Sequence, residues 1–306
     1  MSSLRIVAPL LVLVLAGWLL LTVDLAALRQ ALAQVSMASV AAGLALVQGQ
    51  IWLSALRWRF TAARLGQEIS LGRAIGEYYV ASLLNLSLPG GMAGDALRAY
   101  RLRGGGAGGW KAPAKAVLFE RLSGQGAFLL VALTGLLFWP RMVAPPDLSL
   151  GAGPLTLGAL IVLLSVILAL RLAVRRSAFV AATARDLAQV FVKDGAWAVQ
   201  LGLSLLVVSL YGVTFFIASR AVGAPLPLEA LLTIIPLALL AMLIPSGLGG
   251  WGTREAAAMA LWPLLGSTSA QGLAASLLYG ALSLAGALPG LGLLVWQALR
   301  RRNQRS

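Results

Sequence analysis

Long uncharged apolar stretches constrain this chain more than any other feature of its sequence. A helix needs about 20 apolar residues to cross roughly 30 Å of hydrocarbon. Six stretches qualify, at 6–23, 39–56, 118–139, 150–170, 199–219 and 270–297, of which 118–139 carries Glu120 and Arg121 near its start. Only 11% of the residues are charged and the mean hydropathy is +0.88, so the bilayer must be the main solvent. The sequence therefore predicts an all-α integral membrane protein with six full spans.

The positive charge of the chain is distributed unevenly around these spans. The net charge is +14. With a cytoplasmic N-terminus, most Lys and Arg residues fall at cytoplasmic span ends. The exceptions are Arg29, Arg141, Arg220 and Arg254 on the other side and Arg121 within a span. This pattern obeys the positive-inside rule and predicts cytoplasmic N- and C-termini in a bacterial inner membrane. Since no basic soluble module is present, we expect no nucleic-acid binding.

The chain contains no Cys and no His. Thiolate nucleophiles, disulfides, imidazole bases and the usual zinc or haem ligands are therefore excluded. No paired-carboxylate spacing or nucleophile motif indicates catalysis. We expect no catalytic residue, no metal site and no cofactor, and we expect that the chain is not an enzyme.

Two shorter apolar segments, 74–88 and 230–244, each run into a break rich in Pro and Gly. Each would reach only about 22 Å as a helix, which is short of a full crossing. Both breaks place Gly two and five positions after Pro and Arg nine positions after it, and they are 156 residues apart. The same offset brings the neighbouring spans into register. The sequence thus predicts one membrane domain, 1–306, built from repeats at about 1–141 and 150–298.

Each predicted repeat contains three full spans and one short broken element. Because three crossings is an odd number, the second repeat must begin on the opposite face, which makes the repeat inverted. In transporters with inverted repeats, the broken helices build the substrate site near the midplane. We expect 74–88 and 230–244 to form re-entrant helix hairpins that enter from the cytoplasmic and outer faces, respectively.

The two breaks supply most of the candidate substrate-binding residues. Pro lacks an N–H and Gly resists helix continuation, so each break leaves backbone polar groups inside the membrane. The next helix begins with free N–H groups and a positive dipole end, which suit a phosphate, and an Arg two turns on adds charge-assisted bonds. The candidates are Pro89, Gly90, Gly91, Gly94, Asp95, Arg98, Pro245, Gly247, Gly249, Gly250, Gly252, Arg254 and Glu255.

Charged residues in apolar surroundings add Glu120 and Arg121 to these candidates. An unpaired charge there costs several kcal/mol. We predict that Glu120 or Asp95 pairs with Arg98 or Arg121, and that Glu255 pairs with a cation. The alternative is that these charges form purely structural pairs or reach interfacial water.

Several other residues are expected at the membrane interface. Glu77 and Glu229 lie near the mouths of the two short segments. Tryptophans near predicted span ends are expected to act as interface anchors rather than as a binding cage. They are Trp18, Trp58, Trp139, Trp197 and Trp296.

The sequence resembles the transmembrane region of lysylphosphatidylglycerol synthases, a flippase-like domain family. The resemblance rests on residues 85–98, 119–124 and 244–255 and covers nearly the whole chain in the same order. It implies the movement of lipids between leaflets, and it adds Asn85 to the candidate site. Because the chain ends at Ser306, soon after its last predicted span, we expect it to lack the soluble aminoacyltransferase domain that makes the lysyl-lipid.

Three functional hypotheses follow from the sequence and the resemblance. The first is a lipid flippase-like transporter that moves a phospholipid, a modified lipid or an isoprenoid-linked glycolipid between leaflets. The second is a non-transporting membrane subunit that assists a lipid or cell-envelope biosynthetic enzyme. The third is an intramembrane lipid-modifying enzyme that uses Glu120 or Glu255 as a base. The expected partners are membrane lipids with anionic headgroups and lipid or glycolipid biosynthetic enzymes, and a homo-oligomer is compatible with the sequence.

Overall fold

The computed structural model describes residues 25–88, 90–104, 109–142, 178–243 and 250–303. Within these ranges the chain consists of helices and connecting segments, without a β-strand. The α-helices are α1 Leu25–Ala33, α2 Met37–Arg64, α3 Leu71–Ser87, α4 Ala93–Arg101, α5 Lys111–Met142, α6 Ala178–Phe191, α7 Ala196–Ala221, α8 Ile234–Leu240, α9 Thr253–Leu261, α10 Ser269–Ala287 and α11 Pro289–Asn303. Short 3-10 helices cover Lys193–Gly195, Leu228–Leu231, Ala241–Leu243 and Trp262–Leu265.

Four segments of the described ranges are long and apolar enough to cross a membrane. They correspond to α2, α5, α7 and the nearly continuous pair α10–α11, and they contain four of the six predicted spans. The helices run beyond the uncharged stretches because charged residues continue them at their ends. The predicted spans 6–23 and 150–170 lie outside the described residues. The chain is thus an all-helical, multi-pass membrane protein.

Side-chain caps determine where two of these helices begin. At the start of α2, Ser36 Oγ accepts a hydrogen bond from the Ser39 N–H at 3.2 Å. At the start of α10, Thr268 Oγ1 accepts from the Gln271 N–H at 3.2 Å, and Gln271 Oε1 accepts from the Thr268 N–H at 2.9 Å. This reciprocal pair is a capping box. The caps satisfy N–H groups that the first helical turn leaves without partners.

Helices α2 and α7 pack against each other along their lengths and form the centre of the bundle. At one end, Arg64 Nη2 donates to Asp194 Oδ2 at 2.9 Å. Further along, Gln50 Nε2 donates to Thr214 Oγ1 at 2.6 Å. Residue numbers fall along α2 as they rise along α7, so the two helices are antiparallel. Buried polar contacts between transmembrane helices help to fix such a pair.

The first Pro-Gly break forms a tight turn between α3 and α4. Gly90 and Gly91 have φ values of +84° and +62°, in the left-handed region that favours glycine. A Cβ atom on Gly94 would overlap the backbone of Ala81, so α4 packs directly on α3. The break therefore folds the chain back onto the short apolar helix that precedes it.

A single regular helix does not cover the second short apolar segment, 230–244, although its described part is helical as predicted. The structure instead has the 3-10 helix Leu228–Leu231, then the seven-residue α8, then a further 3-10 turn. Pro236 explains the interruption, since its ring cannot be accommodated over the carbonyl of Leu232 and it has no N–H to donate to it. Accordingly, Thr233 has non-helical angles of φ −104° and ψ −91°.

An aromatic cluster fixes the second half of the chain against α7. The ring of Phe215 lies 4.9 Å from that of Tyr279 and 5.0 Å from that of Trp262, measured between centroids. Trp262 Nε1 also donates to Ser219 Oγ at 2.9 Å. Aromatic pairs at these separations stabilise beyond the area that they bury. These contacts therefore hold Trp262 and helix α10 against α7.

Candidate functional site

Arg98 lies at the centre of a buried group of charges beside the first break. Its Nη2 donates to Glu120 Oε2 at 2.7 Å, and its Nε donates to Asp95 Oδ1 at 2.9 Å. The side chains of Arg98 and Glu120 are each 1% exposed. Asp95 is one turn before Arg98 on α4, and Glu120 comes from α5. The predicted pairing of Glu120 and Asp95 with an arginine is confirmed, because Arg98 binds both.

Glu120 has two further donors that the sequence did not suggest. Arg57, on the spanning helix α2, donates from Nη2 to Glu120 Oε1 at 2.5 Å and from Nε at 3.1 Å. The hydroxyl of Tyr78, on α3, donates to the same oxygen at 3.1 Å. One carboxylate thus joins four helices, and charge-assisted bonds are the strong ones in such a setting.

Arg121 forms the outer edge of this group. It makes an ion pair with Asp95, and its Nη2 lies 3.5 Å from the carbonyl oxygen of Gly91 in the break itself. Its side chain is 37% exposed, in contrast to the other charges around Arg98. We define Arg57, Asp95, Arg98, Glu120 and Arg121 as the first charge cluster. The prediction that Arg121 has a carboxylate partner is confirmed.

Trp58 is not an interface anchor, contrary to the sequence-based expectation. Its ring is fully buried, and the guanidinium carbon of Arg98 lies 4.8 Å from the ring centroid. The same carbon lies 4.8 Å from the ring of Tyr78. Attraction between a cation and aromatic faces helps to hold a guanidinium without water. Trp58 therefore belongs to the surroundings of the first charge cluster.

The two glutamates that are predicted at the membrane interface, Glu77 and Glu229, have different environments. Glu77 is buried and accepts a hydrogen bond from Arg101 Nη1 at 3.1 Å, whereas Glu229 is exposed. The pairing explains why a carboxylate can be buried at position 77. Among the predicted tryptophan anchors, Trp197 and Trp296 are exposed.

Arg254 is the centre of a smaller group beside the second break. Its Nη2 donates to Glu255 Oε1 at 2.6 Å, and its Nε donates to Ser276 Oγ at 2.8 Å. Ser276 in turn donates to Glu255 Oε1 at 2.9 Å. The guanidinium also lies over the rings of Trp251 and Tyr279, at 5.1 and 4.9 Å. We call Arg254, Glu255 and Ser276 the second charge cluster; the predicted cationic partner of Glu255 is confirmed.

Each break is followed by a helix whose first N–H groups already have a protein partner. In the first half, the Gly94 N–H donates to Asn85 Oδ1 at 2.8 Å. In the second half, the Gly252 N–H donates to Glu255 Oε2 at 2.5 Å. A helix N-terminus attracts negative charge, and in the second half a carboxylate of the chain itself supplies it.

The second break contacts the end of the helix that precedes the first break. Trp251, in the second break, donates from Nε1 to the carbonyl oxygen of Leu86 at 3.2 Å. Leu86 belongs to the last turn of α3, directly before the first break. Helix α10, which carries Ser276, also packs against α3. The candidate residues of the two halves are thus brought to one region of the molecule.

Some candidate residues can be placed and others cannot. Gly90, Gly91, Gly250 and Gly252 lie in the two breaks with positive φ angles. Pro89, Pro245, Gly247 and Gly249 fall outside the described residues.

Sequence reasoning missed several residues that complete the two clusters. Arg57 and Trp58 are distant in sequence from the breaks, and Tyr78 is an uncharged residue within the short segment 74–88, so none of the three carried a local signal. Ser276 carried one, since it lies 156 positions after Glu120, the same offset that relates Arg98 to Arg254. The contact between Arg98 and Glu120 in the first half thus corresponds to the contact between Arg254 and Ser276 in the second.

Comparison with known proteins identifies the family of the chain. Residues 5–290 match the family described as the lysylphosphatidylglycerol synthase TM region. A comparison with curated proteins found no match. The matched region includes both breaks and both charge clusters. The chain therefore belongs to the lysylphosphatidylglycerol synthase TM region family.

Proposed function

We propose that this protein is a lipid translocase of the bacterial inner membrane with cytoplasmic termini. It moves a phospholipid, a modified lipid or an isoprenoid-linked glycolipid between leaflets and carries out no catalysis. The headgroup passes between the two halves of the chain, while the acyl chains stay in the bilayer. Membership of the family is consistent with a lipid-related role in the membrane.

The contact between the second break and the helix end beside the first break is the observation that carries this proposal. Trp251 of one break binds Leu86 beside the other, and each break has a buried arginine on the helix that follows it. Irregular backbone and buried charge at membrane depth are tolerated where they are enclosed by protein or line a cavity. Together the breaks supply polar groups that a headgroup needs when it crosses the hydrocarbon.

The directions of the central helices favour an inverted repeat. The offset of 156 residues relates α2 to α7. Since these two helices are antiparallel neighbours, equivalent parts of the two halves run in opposite directions across the bundle. An inverted pair of repeats allows alternating access, because each half can adopt the conformation of the other in turn.

The contacts between helices favour the same relationship. Helix α2 packs on α5 as α7 packs on α10, and α3 packs on α4 as α8 packs on α9. Across the halves, α2 packs on α10 as α5 packs on α7, and α3 packs on α10 as α8 packs on α5. We infer that α3–α4 and α8–α9 are the two re-entrant elements, and that α1–α5 and α6–α11 fall into the two repeats.

The proposed transport cycle exposes the two breaks alternately. When the contact between Trp251 and Leu86 opens towards one face, a headgroup can enter beside the first charge cluster. Closing that face and opening the other releases it into the opposite leaflet. The antiparallel polar contacts between α2 and α7 supply the fixed axis about which the halves rearrange.

Reconstitution into vesicles tests this proposal directly. Fluorescent phospholipids and glycolipids in the outer leaflet are bleached chemically, and the protected fraction reports exchange. We expect exchange faster than in protein-free vesicles. We expect Arg98→Ala to slow it about tenfold, since a charge-assisted hydrogen bond contributes roughly 1.5–3 kcal/mol. We expect Arg254→Ala to slow it for a different reason, because that variant leaves the buried Glu255 without its cation. Arg103→Ala is the matched control, because Arg103 is an exposed arginine on the loop after α4.

Exchange no faster than in protein-free vesicles, across a broad lipid panel, would refute transport. In that case the non-transporting subunit becomes the favoured function. Affinity purification from native membranes would then be expected to recover a lipid or cell-envelope biosynthetic enzyme with the chain.

A further inference from the structure

The first charge cluster is not electrically neutral. It contains three guanidinium groups, from Arg57, Arg98 and Arg121, and two carboxylates, from Asp95 and Glu120. All of these except Arg121 are almost completely buried. With both carboxylates held in ion pairs, one positive charge is left over. An excess charge in such surroundings favours the binding of an anion.

Two buried N–H donors in the same place lack partners. Arg98 Nη1 and Trp58 Nε1 have no hydrogen-bond acceptor among the described residues, although both side chains are at most 1% exposed. The guanidinium of Arg98 lies against the Trp58 ring, so the two donors share one neighbourhood. Buried donors are almost always satisfied in folded proteins. Their presence together points to an acceptor that binds there.

The second charge cluster is electrically neutral, and none of its buried donors lacks a partner among the described residues. Its single arginine, Arg254, is matched by the carboxylate of Glu255. The other oxygen of that carboxylate accepts from the Gly252 N–H at the start of α9. The place of an anion in the second half is thus already taken by a side chain of the protein.

Arg121 provides a way into the first charge cluster. Its side chain is 37% exposed while it holds Asp95 and approaches the Gly91 carbonyl. An anion that reaches Arg121 meets the excess charge at the edge of the cluster and can then draw on the donors of Arg98 and Trp58. Gly90 and Met92, which flank Gly91 in the chain, are exposed.

We propose that the chain has one anion site, in the first half, which binds the phosphodiester of a lipid as a single negative charge. Arg98 Nη1 and Trp58 Nε1 donate to the phosphodiester oxygens, and Arg121 binds them at the entrance. The second half, with its own carboxylate, binds no anion. It moves relative to the first half during transport. This site deepens the proposed translocase, because it names the headgroup chemistry that the translocase recognises.

Binding by the purified full-length chain in detergent tests the site independently of transport. Native mass spectrometry counts the bound lipid and measures its affinity, with phosphatidylglycerol as the phosphodiester probe. Diacylglycerol with the same acyl chains and inorganic phosphate are the two comparison probes. We expect one phosphatidylglycerol per chain, at least tenfold tighter than diacylglycerol, and no displacement by an equal concentration of inorganic phosphate.

Variants of the first charge cluster sharpen this test. Arg98→Gln removes the buried donor, and Arg121→Gln brings the cluster to neutrality at a partly exposed position where folding is less at risk. Each is expected to weaken binding of phosphatidylglycerol at least tenfold. Arg103→Gln removes an exposed arginine outside the cluster and is expected to leave the affinity within twofold.

Several results would overturn the proposal. These are a loss of affinity in Arg254→Gln with none in Arg121→Gln, equal binding of diacylglycerol, and displacement by inorganic phosphate. The readout also separates this site from the proposed function. Selective binding without leaflet exchange would support the site and refute transport, whereas exchange without selective binding would refute the site and leave transport standing.

Discussion

At the scale of single residues, Glu120 organises the first half of the candidate site. Its two oxygens accept from Arg57, Arg98 and Tyr78, which come from three other helices. Removing one member of a buried ion pair leaves the other charge without compensation and costs about 3–5 kcal/mol. Glu120 therefore fixes the positions of α2, α3, α4 and α5 relative to one another.

Glu120→Gln tests this role. The amide keeps one acceptor oxygen but loses the charge, so the buried Arg57 loses its carboxylate partner and Arg98 keeps only Asp95. We expect the free energy of unfolding in detergent to fall by about 3 kcal/mol or more. Chemical denaturation followed by tryptophan fluorescence measures this loss.

Asp194→Asn is the matched control for Glu120→Gln. Asp194 pairs with Arg64 at the surface, where its side chain is 75% exposed. Exposed pairs contribute about 0–1 kcal/mol, and Asn accepts the positive φ of 53° at this position. If Glu120→Gln cost no more than Asp194→Asn, the buried cluster would have no special part in stability.

At the scale of helices, the sequence predicts the long elements well and the short ones poorly. The apolar character of 39–56, 118–139, 199–219 and 270–297, with Glu120 and Arg121 as the only charges among them, is enough to locate four of the long helices. The second short segment is not one regular helix because Pro236 interrupts it. A hydropathy profile does not reveal this interruption, since it depends on the loss of a single N–H donor. The pairing of charges was predictable from the cost of burying them alone.

The partners that α2 and α3 contribute to the site could not be predicted in the same way. Arg57 and Trp58 fall at the end of an apolar stretch, where such residues usually meet interfacial water. The structure places them inside, because α2 continues to Arg64 and the end of the helix lies further along. Only the packing of α4 and α5 around them reveals their role.

Close packing of α4 on α3 holds the first break in shape. A Cβ on Gly94 would overlap the backbone of Ala81, which cannot move aside as a flexible side chain can. We expect Gly94→Ala to lower the free energy of unfolding by about 1–3 kcal/mol, as overpacking does, and to slow leaflet exchange. Thermal unfolding in detergent and the vesicle assay measure the two effects.

Gly126→Ala provides the comparison for Gly94→Ala. Gly126 lies within α5, and a Cβ there would meet no atom within 4 Å. Alanine is favoured over glycine in a helix by about 1 kcal/mol, so this variant is expected to be neutral or slightly stabilising. Equal stability of the two variants would contradict the close packing of α3 and α4.

At the scale of the whole molecule, the two halves of the chain differ in charge. The first half holds four charged side chains around Arg98, and the second holds one arginine with one carboxylate. The halves meet along α2 and α7 and again where Trp251 contacts Leu86. We propose that the first contact stays closed during transport and that the second opens.

A reversible cross-link between the two breaks tests this account most directly. Because the chain has no Cys, Leu86→Cys with Trp251→Cys supplies the only thiols, and each single variant is a control. Leaflet exchange of fluorescent phosphatidylglycerol is measured before cross-linking, after a short reducible thiol cross-linker, and after reduction. The account predicts that exchange falls to the protein-free rate on cross-linking and returns on reduction. In either single variant, the cross-linker is expected to leave the rate of exchange unchanged. Exchange that continues unchanged in fully cross-linked protein would contradict it.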